Sequence, residues 1–230
     1  MIALFTTSTT HHIFFENQIF KYYNKIISVC ETTSIKPKFR TDILFEKKRD
    51  EFEKKFFFKN NKKKFLSTDY KVKNINETKV LNILEKNNIK YIIVFGTRKI
   101  NKKIIKKYKN RIFNLHGGNP EEFRGLDSHY WSIYHNNFKL YSCLHRLNNK
   151  LDDGEIIFLK KINLNKIFDI YKLRSANTIC CISMIKKLIK FIINKEQIPC
   201  TKQKKIGRYY SFMPKELKKI IEKKFKFKNL

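Results

Sequence analysis

The run Ile112-Phe-Asn-Leu-His116 sets two polar side chains into an apolar stretch, and their spacing is where chemistry can begin. If the run is a strand, Asn114 and His116 project from the same side, because side chains alternate with a period of two. Gly117 and Gly118 follow at once, so the backbone can turn away without covering them. Further along, Leu151-Asp-Asp-Gly-Glu155 places carboxylates on a turn just ahead of another apolar run. An amide N–H can donate to an oxyanion, an imidazole can carry protons near neutral pH, and a carboxylate can orient both. Each residue alone also has an ordinary reading as a cap or turn residue. Their combination at strand ends favours the chemical one.

Glycine usage points to the same interval. Of six glycines, five (Gly96, Gly117, Gly118, Gly125, Gly154) fall between residues 96 and 154, together with four of the six histidines and the single tryptophan, Trp131. A chain that avoids glycine elsewhere keeps it where backbone geometry or close ligand approach demands it.

The elements that must hold these residues are legible as hydrophobic patterns. Ile2–Phe5, Ile26–Cys30, Tyr91–Phe95 and Ile112–Leu115 read as buried strands, with helical stretches at His12–Tyr22, Asp42–Asn60, a helix capped by Asn76, and Lys102–Tyr108. In the Asp42–Asn60 helix the side bearing Phe52, Phe56, Phe57 and Phe58 is expected to pack inward. Tyr141–Leu147 and Glu155–Leu159 read as later strands close enough to pair antiparallel. A long helix over Phe168–Lys195 and an amphipathic helix after Pro214 complete the reading. The alternation predicts an α/β fold: a Rossmann-like, mostly parallel sheet with helices on both faces, plus a short C-terminal helical extension. Residues 1–197 are expected to form the catalytic domain and 198–230 a basic extension too short to stand alone. In an open α/β sheet of this kind, ligands bind at the C-terminal ends of the strands.

Charge and composition narrow the function classes. Lys+Arg total 51 against Asp+Glu 20, a formal charge of +31, but only eight of the cations are arginine. Sequence-reading nucleic-acid proteins lean on arginine for bidentate contacts, and these lysines are spread along a chain rich in Ile, Asn and Phe. A nucleic acid is therefore not expected to be the main partner, although a positive field attracts anionic substrates. The 42% hydrophobic content supports a packed core rather than disorder. No apolar run is long enough for a membrane span, and the first residues read as a strand rather than a signal peptide. Five cysteines without C-x-x-C spacing or a matching histidine pattern suit reduced, mostly buried thiols in the cytoplasm, and no metal site is expected.

Taken together, Asn114-Leu115-His116, Arg124-Gly125 and Asp152-Asp153-Gly154 resemble the N-x-H, R-G and D-x-G motifs of the 10-formyltetrahydrofolate-dependent formyltransferase family. The run Phe113–Phe138 looks like the branch that formylates amino sugars carried on nucleotides, as does Gly207–Pro214, to which no role attaches. The resemblance implies formyl transfer from 10-formyltetrahydrofolate to a sugar amine, in surface polysaccharide synthesis such as that of lipopolysaccharide O-antigen. It implies Asn114, His116 and Asp152 as catalytic; Asp152 is preferred to Asp153 because the family carboxylate stands two positions before the glycine. On the same basis Gly96 and Thr97, with Leu147 and Leu151, are expected to touch the folate. For the nucleotide-linked sugar, Thr7, Ser8 and Thr9 could bind phosphate at a helix start, with Arg124, His129 and Trp131 as further candidates. Trp131 reads equally well as a core residue. Glycinamide ribonucleotide or another amine is the alternative acceptor, and the C-terminal segment is a candidate homodimer contact.

Overall fold

The computed structural model describes residues 1–33, 37–59, 61–164, 167 and 169–228. In chain order the elements are β1 (Ile2–Thr7), α1 (Thr10–Tyr22), β2 (Ile26–Glu31), α2 (Ile43–Phe58), β3 (Thr68–Val72), α3 (Thr78–Lys86), β4 (Tyr91–Val94), α4 (Lys102–Lys107) and β5 (Ile112–His116). They continue with β6 (Phe123–Gly125), α5 (Ser128–Tyr134), β7 (Tyr141–Arg146), β8 (Ile156–Lys161), a 3-10 turn at Ile170–Lys172, α6 (Leu173–Ile193), β9 (Arg208–Tyr210) and α7 (Lys215–Lys228).

Seven strands form one sheet in the order β3-β2-β1-β4-β5-β7-β8. The first five run parallel; β7 is antiparallel to β5, and β8 to β7. The sheet is Rossmann-like with helices on both faces. Its central strands are Ile-, Val- and Phe-rich because parallel strands covered on both sides need apolar residues on both sides. Alternation divides β1 accordingly. Ile2 and Leu4 pack with Phe15 and Ile19 of α1 and with Met184, Ile185 and Leu188 of α6. Ala3 and Phe5 point the other way, against Val80 and Leu84 of α3 and Ile104 of α4. Each such fully buried side chain stabilises the fold by roughly 1.5–3 kcal/mol. A third core joins Phe45 of α2, Tyr130 and Ile133 of α5, and Met213, Ile221 and Phe225 at the C-terminal end.

Strand order reverses at β1, which has β2 on one side and β4 on the other. The loops leaving β1, β4 and β5 therefore diverge at one edge and open a crevice there. A second, two-stranded sheet pairs β6 with β9 in parallel. The basic extension after residue 198 thus pairs with the rest of the fold through β9.

Several expectations are corrected. In α2 the buried residues are Phe45 and Glu53, while Phe56 is 56% exposed; Phe52 stacks on Phe56, and Phe57 stacks on Phe14. The phenylalanine run signals apolarity but not which side faces inward. Asn76 does not cap α3, whose N-cap is Glu77. Its amide instead donates to the Lys99 carbonyl and accepts from the Asn101 N–H, tying two loops together. β3, β6 and β9 are short and carried no apolar signal. The long helix begins as a 3-10 turn and becomes α-helical at Leu173; Phe168, its expected start, lies outside the described residues. Cys30, Cys143, Cys180 and Cys181 are buried free thiols, and Cys200 is exposed.

Candidate active site

β5 delivers Asn114 and His116 to the crevice, and the antiparallel register sets Asn114 opposite His145 of β7. Asp152 arrives from the turn between β7 and β8, where its backbone is left-handed at φ 47°. Gly154 in that turn lies against the Arg146 carbonyl, in space a Cβ would fill. Side chains from three separate segments therefore meet around one carboxylate. Asp152 Oδ1 lies 3.3 Å from the Asn114 amide nitrogen and 3.5 Å from His145 Nε2. Its Oδ2 accepts from the Gly125 N–H at 2.8 Å and lies 3.7 Å from His116 Nδ1.

The hydrogen-bond network sets the imidazole tautomers. His116 Nε2 faces the Phe123 carbonyl at 2.8 Å, so that nitrogen carries a hydrogen. A second proton on this ring would sit on Nδ1, directed at Asp152. His145 Nδ1 donates to the Arg146 carbonyl at 2.8 Å, leaving Nε2 to accept from Asn114 at 3.1 Å. Both N–H bonds of Asn114 are therefore engaged, the longer one with Asp152. Burial by itself raises the Asp152 carboxyl, but the adjacent His116, the neighbouring His145 imidazole and the Gly125 N–H outweigh it. They hold Asp152 well below the usual carboxylate range, so it is a fixed anion.

Two cavities meet at this cluster. One, of about 360 Å³, is lined by Asn114, His116, His145 and Asp152 together with Gly96, Thr97, Leu147 and Leu151. All four residues expected to touch folate thus line one wall. Gly96 has φ +82°, and a side chain there would collide with the His12 ring, so only glycine lets the backbone pass.

The other cavity, of about 380 Å³, also has Gly96 and His116 in its wall and is lined further by His12, His129, Tyr130, Arg49, Arg174 and Lys218. His129, a candidate for the sugar side, is among its lining residues, and its Nε2 donates to the Tyr141 carbonyl at 2.6 Å. Burial drives the pKa of His129 down to about 4. Behind this cavity, fully buried Glu53 accepts two bonds from Arg174, both 2.6 Å. Arg49, Arg174, Lys218 and His145 were missed in the sequence. Only His145 left a usable signal, since antiparallel pairing of its strand brings it beside Asn114.

The remaining acceptor candidates line neither cavity. The hydroxyls of Thr7 and Thr9 are within 2.7 and 2.8 Å of His12 Nδ1, and Ser8 faces the Cys30 thiol. These groups are occupied by side chains rather than turned to a phosphate. Arg124 sits on β6, its buried Nε without a partner among the described residues. Trp131 donates to the Ser211 carbonyl at 2.8 Å and stacks on Tyr210 at 4.8 Å, so its packing reading is the one its contacts fit. A groove of about 550 Å³ between α2 and α7 touches none of the residues of this cluster.

The sequence profile for formyl transferases matches residues 13–175, a stretch that includes Asn114, His116 and Asp152. The methionyl-tRNA formyltransferase of Finegoldia magna is 27% identical over 118 residues, which is 51% of this chain and 38% of that protein. The bifunctional polymyxin resistance protein ArnA of Wigglesworthia glossinidia brevipalpis is 33% identical over 121 residues, 51% of this chain and 18% of that protein. The similarity thus spans less than half the length of either curated relative. Among solved structures, the formyltransferase PseJ from Anoxybacillus kamchatkensis, in complex with UDP-4,6-dideoxy-4-formamido-L-AltNAc and tetrahydrofolate, superposes with a TM-score of 0.56 at 17% identity. The match covers 92% of this chain and 86% of that one. Phosphoribosylglycinamide formyltransferase from Anaplasma phagocytophilum gives 0.60 at 12% identity, covering 92% and 98%. At such identities the likeness is one of fold. The profile match covers most of the sequence and carries the clustered residues with it: this chain belongs to the formyl transferase family.

Proposed function

We propose that this chain moves a formyl group from 10-formyltetrahydrofolate to the primary amine of a nucleotide-linked amino sugar. The observation that carries the reading is the position of His116, which stands in the wall between two cavities beside Asn114 and Asp152. A donor in one cavity and an amine in the other would meet at that residue. The apolar side chains of Leu147 and Leu151, with the bare backbone at Gly96, suit a flat ring system. The second cavity, polar and charged, suits a sugar.

In this reaction a neutral amine attacks the formyl carbon, a new C–N bond forms, and the bond to the folate N10 breaks. The amine loses a proton and N10 gains one. The Asn114 amide can donate to the oxyanion by releasing its 3.3 Å contact with Asp152, the weaker of its two bonds. One such donor is worth ~3 kcal/mol of barrier. Asp152 is too weak a base to hold the amine's proton, but its fixed charge stabilises a proton placed on His116 Nδ1. His116 is therefore the group that carries the proton from amine toward N10.

The sugar acceptor is supported by the run Phe113–Phe138, by the fold shared with PseJ and by the similarity to ArnA. Its test is a mass-spectrometric screen with 10-formyltetrahydrofolate and a panel of UDP-, dTDP- and GDP-linked amino sugars, with glycinamide ribonucleotide included. One panel sugar should gain a single formyl mass, and His116→Ala should abolish the gain. Formylation of glycinamide ribonucleotide alone would reassign the acceptor; no transfer to any amine would overturn the reading.

A further inference from the structure

The turn carrying Asp152 is held from outside by a segment near the C-terminal end of the chain. Gln203 donates through its single Nε2 to the Asp152 carbonyl at 2.9 Å and to the Gly154 carbonyl at 2.8 Å. The amide cannot be turned over, since its oxygen would then face two carbonyls. On one flank, Thr201 and Ile156 exchange both backbone bonds at 2.8 Å. On the other flank, Arg208 N–H donates to the Glu122 carbonyl, and Leu126 N–H to the Tyr210 carbonyl. The approach of β9 to β6 is close enough that a side chain at Gly125 would strike the Tyr210 carbonyl, and one at Gly207 the Pro120 carbonyl.

This segment thus joins the two supports of the catalytic cluster. The Asp152 turn is one. The other is β6, whose Gly125 N–H binds Asp152 and whose Phe123 carbonyl binds His116. We propose that Gln203 is a positioning residue. Resting on the assignment of Asp152 as the fixed anion, we infer that its two bonds keep that carboxylate against His116 and His145. A left-handed backbone costs energy for any residue but glycine, and it persists where the surrounding structure fixes it. Without Gln203 the turn relaxes and the carboxylate withdraws, while the sheet and both cavities persist.

The test follows the Asp152 contact directly and needs no acceptor. In the full chain, hydrogen exchange of the Gly125 amide, whose N–H binds the Asp152 carboxylate, is recorded by NMR for wild type, Gln203→Ala and Gln203→Glu. Exchange at Gly125 should be about tenfold faster or more in both Gln203 variants. The neighbouring Leu126 amide, bonded to the Tyr210 carbonyl instead, should hold its rate, which a general loosening of this segment would not allow. Gln203→Glu keeps the shape and settles the matter if Gln203→Ala does not fold. Unchanged Gly125 exchange in a folded variant would overturn the proposal. Faster Gly125 exchange in a protein that formylates no amine would leave the clamp standing and remove only the catalytic assignment.

Discussion

The two cavities share a wall at His116 but are built in different ways. The Leu147 side is made by backbone at strand ends and by apolar side chains close to them in sequence. The Arg174 side is made by charged and imidazole groups from α1, α2, α5, α6 and α7, held by a buried Glu53–Arg174 pair whose members are far apart in the chain. Strand ends place residues through the backbone itself. Ionic walls place them only through long-range pairing, and they are costly to disturb because a severed partner is left buried.

Four experiments separate the two sides. The largest effect belongs to the shared wall: Asp152→Asn should lower kcat about a thousandfold in steady-state assays, with both ligands still binding by calorimetry. Binding lost along with turnover would make the cluster structural instead. Next, Glu53→Gln should destabilise the fold by about 3 kcal/mol, read as a melting temperature lower by roughly 6–12 °C, and should weaken the acceptor side alone.

Acid should also dissect the sides. Burial lowers His12 to about 3 and His129 to about 4, and lowers His11 as well. Unfolded histidines titrate near ~6.5, so the unfolded chain binds these protons first. Stability should be full above that pH and decline from ~6.5 toward pH 4, by at most ~3 kcal/mol for His129. Asp152, held low, keeps its contribution above its ordinary value near ~3.9 and loses it only as pH falls through its depressed folded value. Chemical denaturation in His129→Gln should show a flatter first phase with the second intact. The smallest effect is Leu151→Ala, which should raise KM for 10-formyltetrahydrofolate by roughly 5-fold, about 1 kcal/mol, and leave the acceptor KM alone.

The same contrast explains what could be read in the sequence. β1, β2, β4 and β5 announce themselves as apolar runs, and the period-two spacing of Asn114 and His116 survives folding unchanged. Gly96 and Thr97 leave the end of β4, and Leu147 and Leu151 follow β7, whose antiparallel pairing with β5 brings them to the same wall. The acceptor-side candidates fared differently. Thr7 and Thr9 have the chemistry for phosphate, but the His12 ring, five and three residues further on, takes up their hydroxyls. Arg174 and Glu53 carry no signal of their pairing, and Lys218 lies buried over the rings of Phe45 and Tyr130 although its type places it on the polar side of an amphipathic helix. Phe56 shows the converse, an aromatic residue turned outward despite its type.

The parallel pairing of β6 with β9 has a consequence for the order of events as the chain is made. Emerging from the ribosome, the polypeptide can assemble all seven strands of the main sheet before residue 203 or 210 exists. Long-range pairings of this sort close late. A nascent chain would then carry Asn114, His116 and Asp152 on a folded sheet, yet gain the supports of their cluster only once residues 203–210 have been made.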